Sequence, residues 1–222
     1  MVAFIADIHG NLPALEAVFE DMRQFDISRI YSLGDVAGYY PLVNESIELL
    51  KTHMVVHILG NHDNYLANDV DCSRSRKVNQ AINYQRTVIT KENLLWLKDS
   101  PTYLEQPDFF AVHGGIHDYL EEYSDLNEFI NIGKPLFLCG HTHIQQYVKK
   151  DRKAFCNPGS VGQPRDGIAA AAYALLDDNL VVTLRRVDYD IEYIANATKQ
   201  AGFSSDFYEG LYIGKAIGRK GI

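Results

Sequence analysis

Five short clusters in this 222-residue chain set carboxylate, imidazole and amide side chains beside glycines: Asp7-Ile8-His9, Gly34-Asp35, Gly60-Asn61-His62-Asp63, His113-Gly114-Gly115 and Gly140-His141-Thr142-His143. Oxygen and imidazole donors without cysteine suit borderline ions such as manganese or iron better than a structural thiolate zinc. Two such ions sharing a carboxylate, about 3.5 to 4 Å apart, can activate water and neutralise charge on a phosphoryl group. Asp35 is the candidate for the shared carboxylate. In an extended segment residues i and i+2 face the same way, so Asp7 with His9, and His141 with His143, are each expected to present two groups to one site. The neighbouring glycines allow close backbone approach.

Each cluster closes a predicted strand, and ligands of open α/β sheets bind beyond the carboxyl ends of strands. A strand over residues 2–6 ends at Asp7. The helix after it is capped by Asn11, tolerates Pro13 in its first turn, and repeats Leu12, Leu15, Val18, Phe19 and Met22 at helical spacing. Strands over 29–33 and 54–59 lead to the second and third clusters, with a helix over 43–50 between them. Residues 64–97 read as helices with a Ser/Arg-rich loop near 73–76 that covers or flanks the site. After Pro101 short β runs are expected over 102–104, 109–113, 136–139, 144–148, 154–156, 169–176 and 180–187, with a hairpin signal at Asp177-Asp178-Asn179. Helices over about 191–201 and 206–216 end the chain. The pattern predicts an α/β fold of two packed mixed β-sheets flanked by helices, in one domain over 1–222.

Composition narrows the function classes. With 46% hydrophobic and 23% charged residues the chain has material for a sizeable core. A net charge of −8 argues against a groove that tracks a nucleic-acid polymer, and two divalent ions would bring it to roughly −4. A small phosphorylated partner, nucleotides included, remains compatible. Cys72, Cys139 and Cys156 lack CxxC spacing and read as reduced thiols, no basic leader precedes the first strand, and no apolar run approaches ~18 residues. The expectation is a cytoplasmic protein without a membrane segment; a homo-oligomer is left open. The turn after the first strand lacks GxGxxG, which argues against a dinucleotide-binding dehydrogenase, and the dispersed histidines argue against the HxHxDH run of a metallo-β-lactamase-like hydrolase.

The five clusters in this order, continued by residues 157–165 (NPGSVGQPR), resemble the signature of the calcineurin-like metallophosphoesterase superfamily, over roughly residues 1–187. The segment over 34–41 (GDVAGYYP) is similar to that of its small bacterial and archaeal phosphodiesterase-like branch, which includes dinucleoside-tetraphosphate hydrolases. The resemblance implies a four-layer α/β/β/α sandwich and two divalent or trivalent ions, Mn or Fe/Mn first, with Zn, Ni, Mg and Co compatible. One ion would be held by Asp7, His9, Asp35 and His143, and the other by Asp35, Asn61, His113 and His141. His62 would stay unligated, stabilise the transition state and protonate the leaving oxygen while a metal-bridging hydroxide attacks phosphorus in line. The implied activity is hydrolysis of a small phosphodiester or phosphoanhydride. The alternatives are a phosphomonoesterase or protein phosphatase, and a non-catalytic scaffold of the same fold. Ala6 and Gly115 stand where the family often has serine, which bears on substrate contacts and not on ligands.

Any one of these histidines alone reads as an ordinary turn or core residue; their joint occurrence argues for ligands. Arg165 is a candidate substrate contact through its guanidinium fork, or half of a structural salt bridge. Tyr39 and Tyr40 could stack on a nucleobase, or pack under a loop. His117 is a candidate phosphate contact or a plain loop residue. Asp63 is an N-cap or a partner that orients a neighbouring imidazole. Packing or exposure accounts for His53 and His57, and Cys139 reads as a buried thiol.

Overall fold

Val2–Ile5 forms β1, which is parallel to β2 (Arg29–Ser32) on one side; β2 is in turn parallel to β3 (Val56–His57). On the other side of β1, β9 (Ala171–Leu176) runs antiparallel, and β10 (Val182–Val187) pairs antiparallel with β9 at the edge. These coordinates, a computed structural model, describe residues 1–124 and 129–218. The second sheet has the order β4 (Tyr103–Glu105), β5 (Phe109–Val112), β6 (Leu136–Leu138), β8 (Lys153–Asn157) and β7 (Gln146–Lys150). Its inner pairs are parallel and both outer pairs antiparallel. Two mixed sheets flanked by helices are thus what the residue pattern predicts.

Alternation along β1 divides the core. Phe4 and Ala6 point between the sheets, where they meet Leu33, Ile58, Phe109, Ala111, Leu136, Leu138 and Cys156. Ala3 and Ile5 point the other way, onto a layer built from Leu15, Val18 and Phe19 of α1 (Leu12–Met22), Ile47 and Leu50 of α2 (Val43–Thr52) and Ile194 of α6 (Ile191–Gln200). The same cluster takes Tyr65 of α3 (Asn61–Ala67), Val78 and Ile82 of α4 (Arg76–Val88) and Leu97 of α5 (Lys91–Lys98). The outer face of the second sheet buries Phe137, Cys139 and Phe155 against Phe129, Ile116 and Tyr119.

Local chemistry sets the helix starts. The side chains of Asn11, Ser75, Thr90 and Asp190 each accept a backbone N–H of the helix that follows. Two expectations are corrected. The third strand shrinks from 54–59 to Val56–His57: Met54 takes a left-handed φ of 51°, and after the Ile58 N bond to Ser32 O the chain turns away, Leu59 N donating to Pro101 O at 2.7 Å. The expected helix over 206–216 is instead two 3₁₀ stretches, Ser205–Phe207 and Glu209–Ile213. Gly210 and Gly214 lie four residues apart there, and Gly214, at φ 60°, ends the second stretch in the left-handed region. Among the described residues no helix is long and apolar enough to cross a membrane.

Phe4 is 1% exposed, with its ring edge-on to Phe109 at 5.1 Å and stacked on Tyr31 at 5.5 Å, so it pins one sheet to the other. Phe4→Ala is expected to lower the unfolding free energy by about 3–5 kcal/mol in urea titration, as large-to-small core changes do. A loss under about 1 kcal/mol would show that the inter-sheet core does not bear this weight.

Candidate metal centre

The carboxyl ends of the strands meet along one rim. Asp7 N donates to Gly34 O at 3.0 Å, His9 N to Asp35 O at 2.9 Å, and Gly140 N to His113 O at 2.9 Å, so the turns after β1, β2, β5 and β6 are stitched together. The geometry differs from the expected extended segments: Asp7, His9, Asp35, His141 and His143 have φ of 54°, 54°, 59°, 65° and 60°. Five side-chain-bearing residues thus sit in the left-handed region that L-residues rarely occupy, a concentration of backbone strain typical of functional sites. Glycine is required where the turns cross. A Cβ on Gly38, whose φ is 110°, would lie 2.6 Å from His9 Nδ1 and closer still to His62, and one on Gly60 would lie 2.8 Å from Asp35 Cγ.

All seven candidate ligands are buried, and their protonation follows from their neighbours. His9 Nδ1 lies 2.7 Å from Ala37 O, His143 Nδ1 2.7 Å from Gln163 O, and His113 Nδ1 2.8 Å from Leu33 O. A carbonyl only accepts, so each Nδ1 carries the hydrogen, and Nε2 of a neutral ring is left with a bare lone pair. His9 Nε2 and His143 Nε2 face each other at 3.1 Å, with Asp7 Oδ1 3.6 Å from the latter and Asp35 Oδ2 3.8 Å from the former. His113 Nε2 faces Asn61 Oδ1 at 3.1 Å and Asp35 Oδ2 at 3.3 Å. Asp7 Oδ2, His62 Nδ1 and His141 Nε2 are buried with no hydrogen-bond partner.

Titration behaviour agrees for His9, His141 and His143 and differs for His113. Burial pushes His9 and His143 well below the usual imidazole range, helped by the neighbouring His62 and Arg165 charges respectively, and burial with His113 lowers His141 to about 3, Arg74 adding a weaker push. Burial would lower His113 too, but the Asp35 carboxylate overrides it and lifts the ring to about 9. Burial raises Asp7 to about 7 against the opposing charge of His113; Asp35 is held well below the carboxylate range, against its own burial, by His113 and His62. Neutral imidazoles with bare nitrogens beside an ionised carboxylate are the form in which such groups bind a metal ion. Asp7, His9 and His143 can hold one ion; Asp35 with His113 and Asp7 forms a second group, with Asn61 Oδ1 alongside. His9, Asp35 and His62 also come within reach of one another, so distance alone does not set His62 apart. His141 joins through its backbone, His141 N donating to Asp7 Oδ1 at 3.2 Å, and its ring stands 5.1 Å from that of His113.

Of the two roles expected for Asp63, the structure gives it the partner of an imidazole, His57; the N-cap of α3 is Gly60. As the third residue of α3 it accepts from Gly60 N at 3.0 Å, and it also accepts from Asp35 N at 2.7 Å and Ala37 N at 2.8 Å, with His57 Nε2 3.1 Å away. His57, read from sequence as mere packing, is buried and bridges Asp63 to Ser32 Oγ at 2.9 Å. Gln85 was missed as well: it accepts from Gly38 N and donates to Gly38 O and Tyr40 O, clamping the loop after Asp35. Its signal lay in the sequence, as a polar residue on the buried i, i+4, i+7 face of Val78, Ile82 and Gln85.

A cavity of about 200 Å³ opens onto this cluster, lined by Asp35, Asn61, His62, His141 and His143 together with Tyr39, Arg165, Cys72, Arg74, Ser75, Val78 and Tyr123. Arg165 donates to Tyr39 Oη at 2.9 Å and to Gln163 Oε1 at 2.8 Å, so its hydrogen bonds run to neutral groups and the salt bridge considered for it does not form among the described residues. Tyr39 packs against His9 and His62 with ring centres 4.5 and 4.8 Å away, and Tyr40 is buried beneath. His117 is exposed and outside the cavity lining, its N–H bonded to Glu122 Oε2 at 2.8 Å. Glu122 also occupies the space in front of Gly115, where a Cβ would meet its Cγ at 2.6 Å.

Known proteins resemble this chain over most of its length. Residues 1–179 match the model of the calcineurin-like phosphoesterase superfamily domain. An uncharacterized protein of Methanocaldococcus jannaschii is 34% identical over 217 residues, covering 86% of this chain and 89% of its own. The phosphodiesterase YfcE of Escherichia coli is 27% identical over 199 residues, covering 85% and 93%. The crystal structure of a metallophosphoesterase from Sphaerobacter thermophilus superposes with a TM-score of 0.84 at 29% identity, covering 96% of this chain and 98% of that one.

If the opposed nitrogens await a cation, adding Mn²⁺ in about hundredfold excess over its dissociation constant to chelator-stripped protein should raise the melting temperature by roughly 5–10 °C, and Asp35→Ala should abolish most of that rise. An unchanged melting curve for the wild type would count against the centre.

Proposed function

This chain belongs to the calcineurin-like phosphoesterase superfamily and is a metal-dependent phosphoester hydrolase, and on that premise we propose that it hydrolyses a small phosphodiester or phosphoanhydride at a two-ion centre. The observation that carries the reading is the pair of bare Nε2 atoms of His9 and His143, 3.1 Å apart beside two carboxylates. One ion is assigned to Asp7, His9, Asp35 and His143, and the other to Asp35, Asn61, His113 and His141. Bound there, the ions supply an activated water and neutralise charge developing on the phosphoryl group. The oxygen and nitrogen donor set favours Mn or Fe/Mn.

The chain's own residues do the rest. Asp35 Oδ1 accepts from His62 N at 2.8 Å and so fixes the start of α3 against the site, which holds the His62 imidazole at the cavity wall. His62 is the proposed general acid, delivering its ring proton to the leaving oxygen. Arg165, with N–H groups bound only to neutral partners, orients a phosphoryl oxygen, and Tyr39 sets the position of its guanidinium. The cavity gives the phosphoryl end of a small ester access to the cluster. Nucleotides and dinucleoside polyphosphates are the substrates proposed first, in one domain spanning residues 1–222.

A panel of 4-nitrophenyl phosphate, bis(4-nitrophenyl) phosphate and a dinucleoside tetraphosphate, assayed with Mn²⁺, tests this. Turnover of the diester or the anhydride should exceed that of the monoester, and His62→Ala should lower it about 10²- to 10⁴-fold with metal content retained. No turnover with any divalent ion, or an unimpaired His62→Ala protein, would sink the proposal.

A further inference from the structure

Gln163 is 1% exposed and touches both the ligand turns and the cavity wall. Its main chain serves the turns: Gln163 O accepts from His143 Nδ1 at 2.7 Å, and Gln163 N donates to Ser160 Oγ at 2.7 Å. Its side chain serves the wall. Oε1 accepts from Arg165 Nε at 3.2 Å and from Arg165 Nη2 at 2.8 Å, while Nε2 donates to Tyr40 Oη at 3.0 Å. The amide can stand only one way round, because an NH₂ turned to the guanidinium would set donors against donors. Tyr40 is a firm anchor for it: the ring is buried, Tyr40 N donates to His9 O at 2.9 Å, and Tyr40 O accepts from Gln85 Nε2 at 2.8 Å.

A guanidinium has five N–H donors. Gln163 takes one from Nε and one from Nη2, Tyr39 Oη takes the other from Nη2 at 2.9 Å, and the two on Nη1 have no acceptor among the described residues. Arg165 lines the cavity that opens onto the metal centre, so these two are the donors left for a ligand oxygen there. A neutral amide suits the task better than a carboxylate would. It fixes the guanidinium plane through two N–H groups without cancelling the charge that attracts an anion, and a fork fixed in advance need not be ordered when the ligand binds.

We propose that Gln163 is a positioning residue for phosphoester hydrolysis: acting through Arg165, it aims the uncommitted Nη1 at a phosphoryl oxygen of the substrate. The inference rests on the phosphoesterase reading above and extends it from the cation to the residue that holds it.

A double-mutant cycle on Mn²⁺-loaded protein of measured metal content tests this, with wild type, Gln163→Met, Arg165→Ala and the double variant. Methionine keeps the volume and the main-chain bond to His143 and removes both amide contacts. Two quantities are read: kcat/KM for bis(4-nitrophenyl) phosphate, and the dissociation constant of inorganic phosphate by calorimetry. Gln163→Met should weaken each at least about fivefold in the wild-type background and less than about twofold in the Arg165→Ala background. A residue that serves only the fold would cost the same factor in both. A loss below about fivefold in the first background, or above about twofold in the second, overturns the assignment, as does a wild type that binds no phosphate. Should Gln163→Met not fold, Tyr40→Phe, which removes only the oxygen anchoring the amide, takes its place with the same criteria. Should the wild type hydrolyse no ester, the phosphoesterase reading fails, and the phosphate constants alone decide the cycle.

Discussion

Two imidazole nitrogens with nothing to donate are held 3.1 Å apart inside the protein, and much of the rim exists to keep them there. Repulsion between the two lone pairs is relieved by a cation. The carbonyls of Ala37, Gln163 and Leu33 hold the hydrogens on the far sides of their rings. The left-handed turns at Asp7, His9, Asp35, His141 and His143 aim the side chains inward at a backbone cost of roughly 1–2 kcal/mol for each residue. Such a site is unfavourable when empty and favourable when filled, so affinity and strain are two sides of one design.

What holds the strain is a set of buried polar residues that touch no ligand side chain directly. Asp63 collects the backbone N–H groups of Asp35, Ala37 and Gly60 and is braced by His57, itself stacked on Trp96 at 4.9 Å. From α4, Gln85 accepts the N–H of Gly38 and donates to the carbonyls of Gly38 and Tyr40. The helices therefore do more than cover the first sheet: two of them reach back to fix the loop that carries Asp35. Fold and site share these residues, and a change in either helix would be felt at the metal centre.

The parts of this arrangement that follow from residue type and period were legible in the chain. Apolar runs closing in Asp, His and Asn marked the strand ends, and the unbroken apolar run over residues 2–6 marked a buried strand. What depends on distant chain segments was not. The extended geometry expected for Asp7-Ile8-His9 is a left-handed turn because hydrogen bonds to the 34–36 backbone hold it so. His57 gave no local sign of its partnership with Asp63 beyond being polar in an apolar strand, and the glycines at 210 and 214 outweighed the apolar spacing that suggested a last helix. Gln163 and Tyr40 lie 123 residues apart and meet only because both of their loops bond to the turn after β1.

The account stands most directly on where ions bind. Anomalous diffraction from crystals grown with Mn²⁺ should reveal two peaks per chain on either side of the Asp35 carboxylate, one beside His9 and His143 and the other beside His113 and His141. Fewer than two peaks at that carboxylate, in crystals of protein shown to be folded and saturated with the ion, would contradict it.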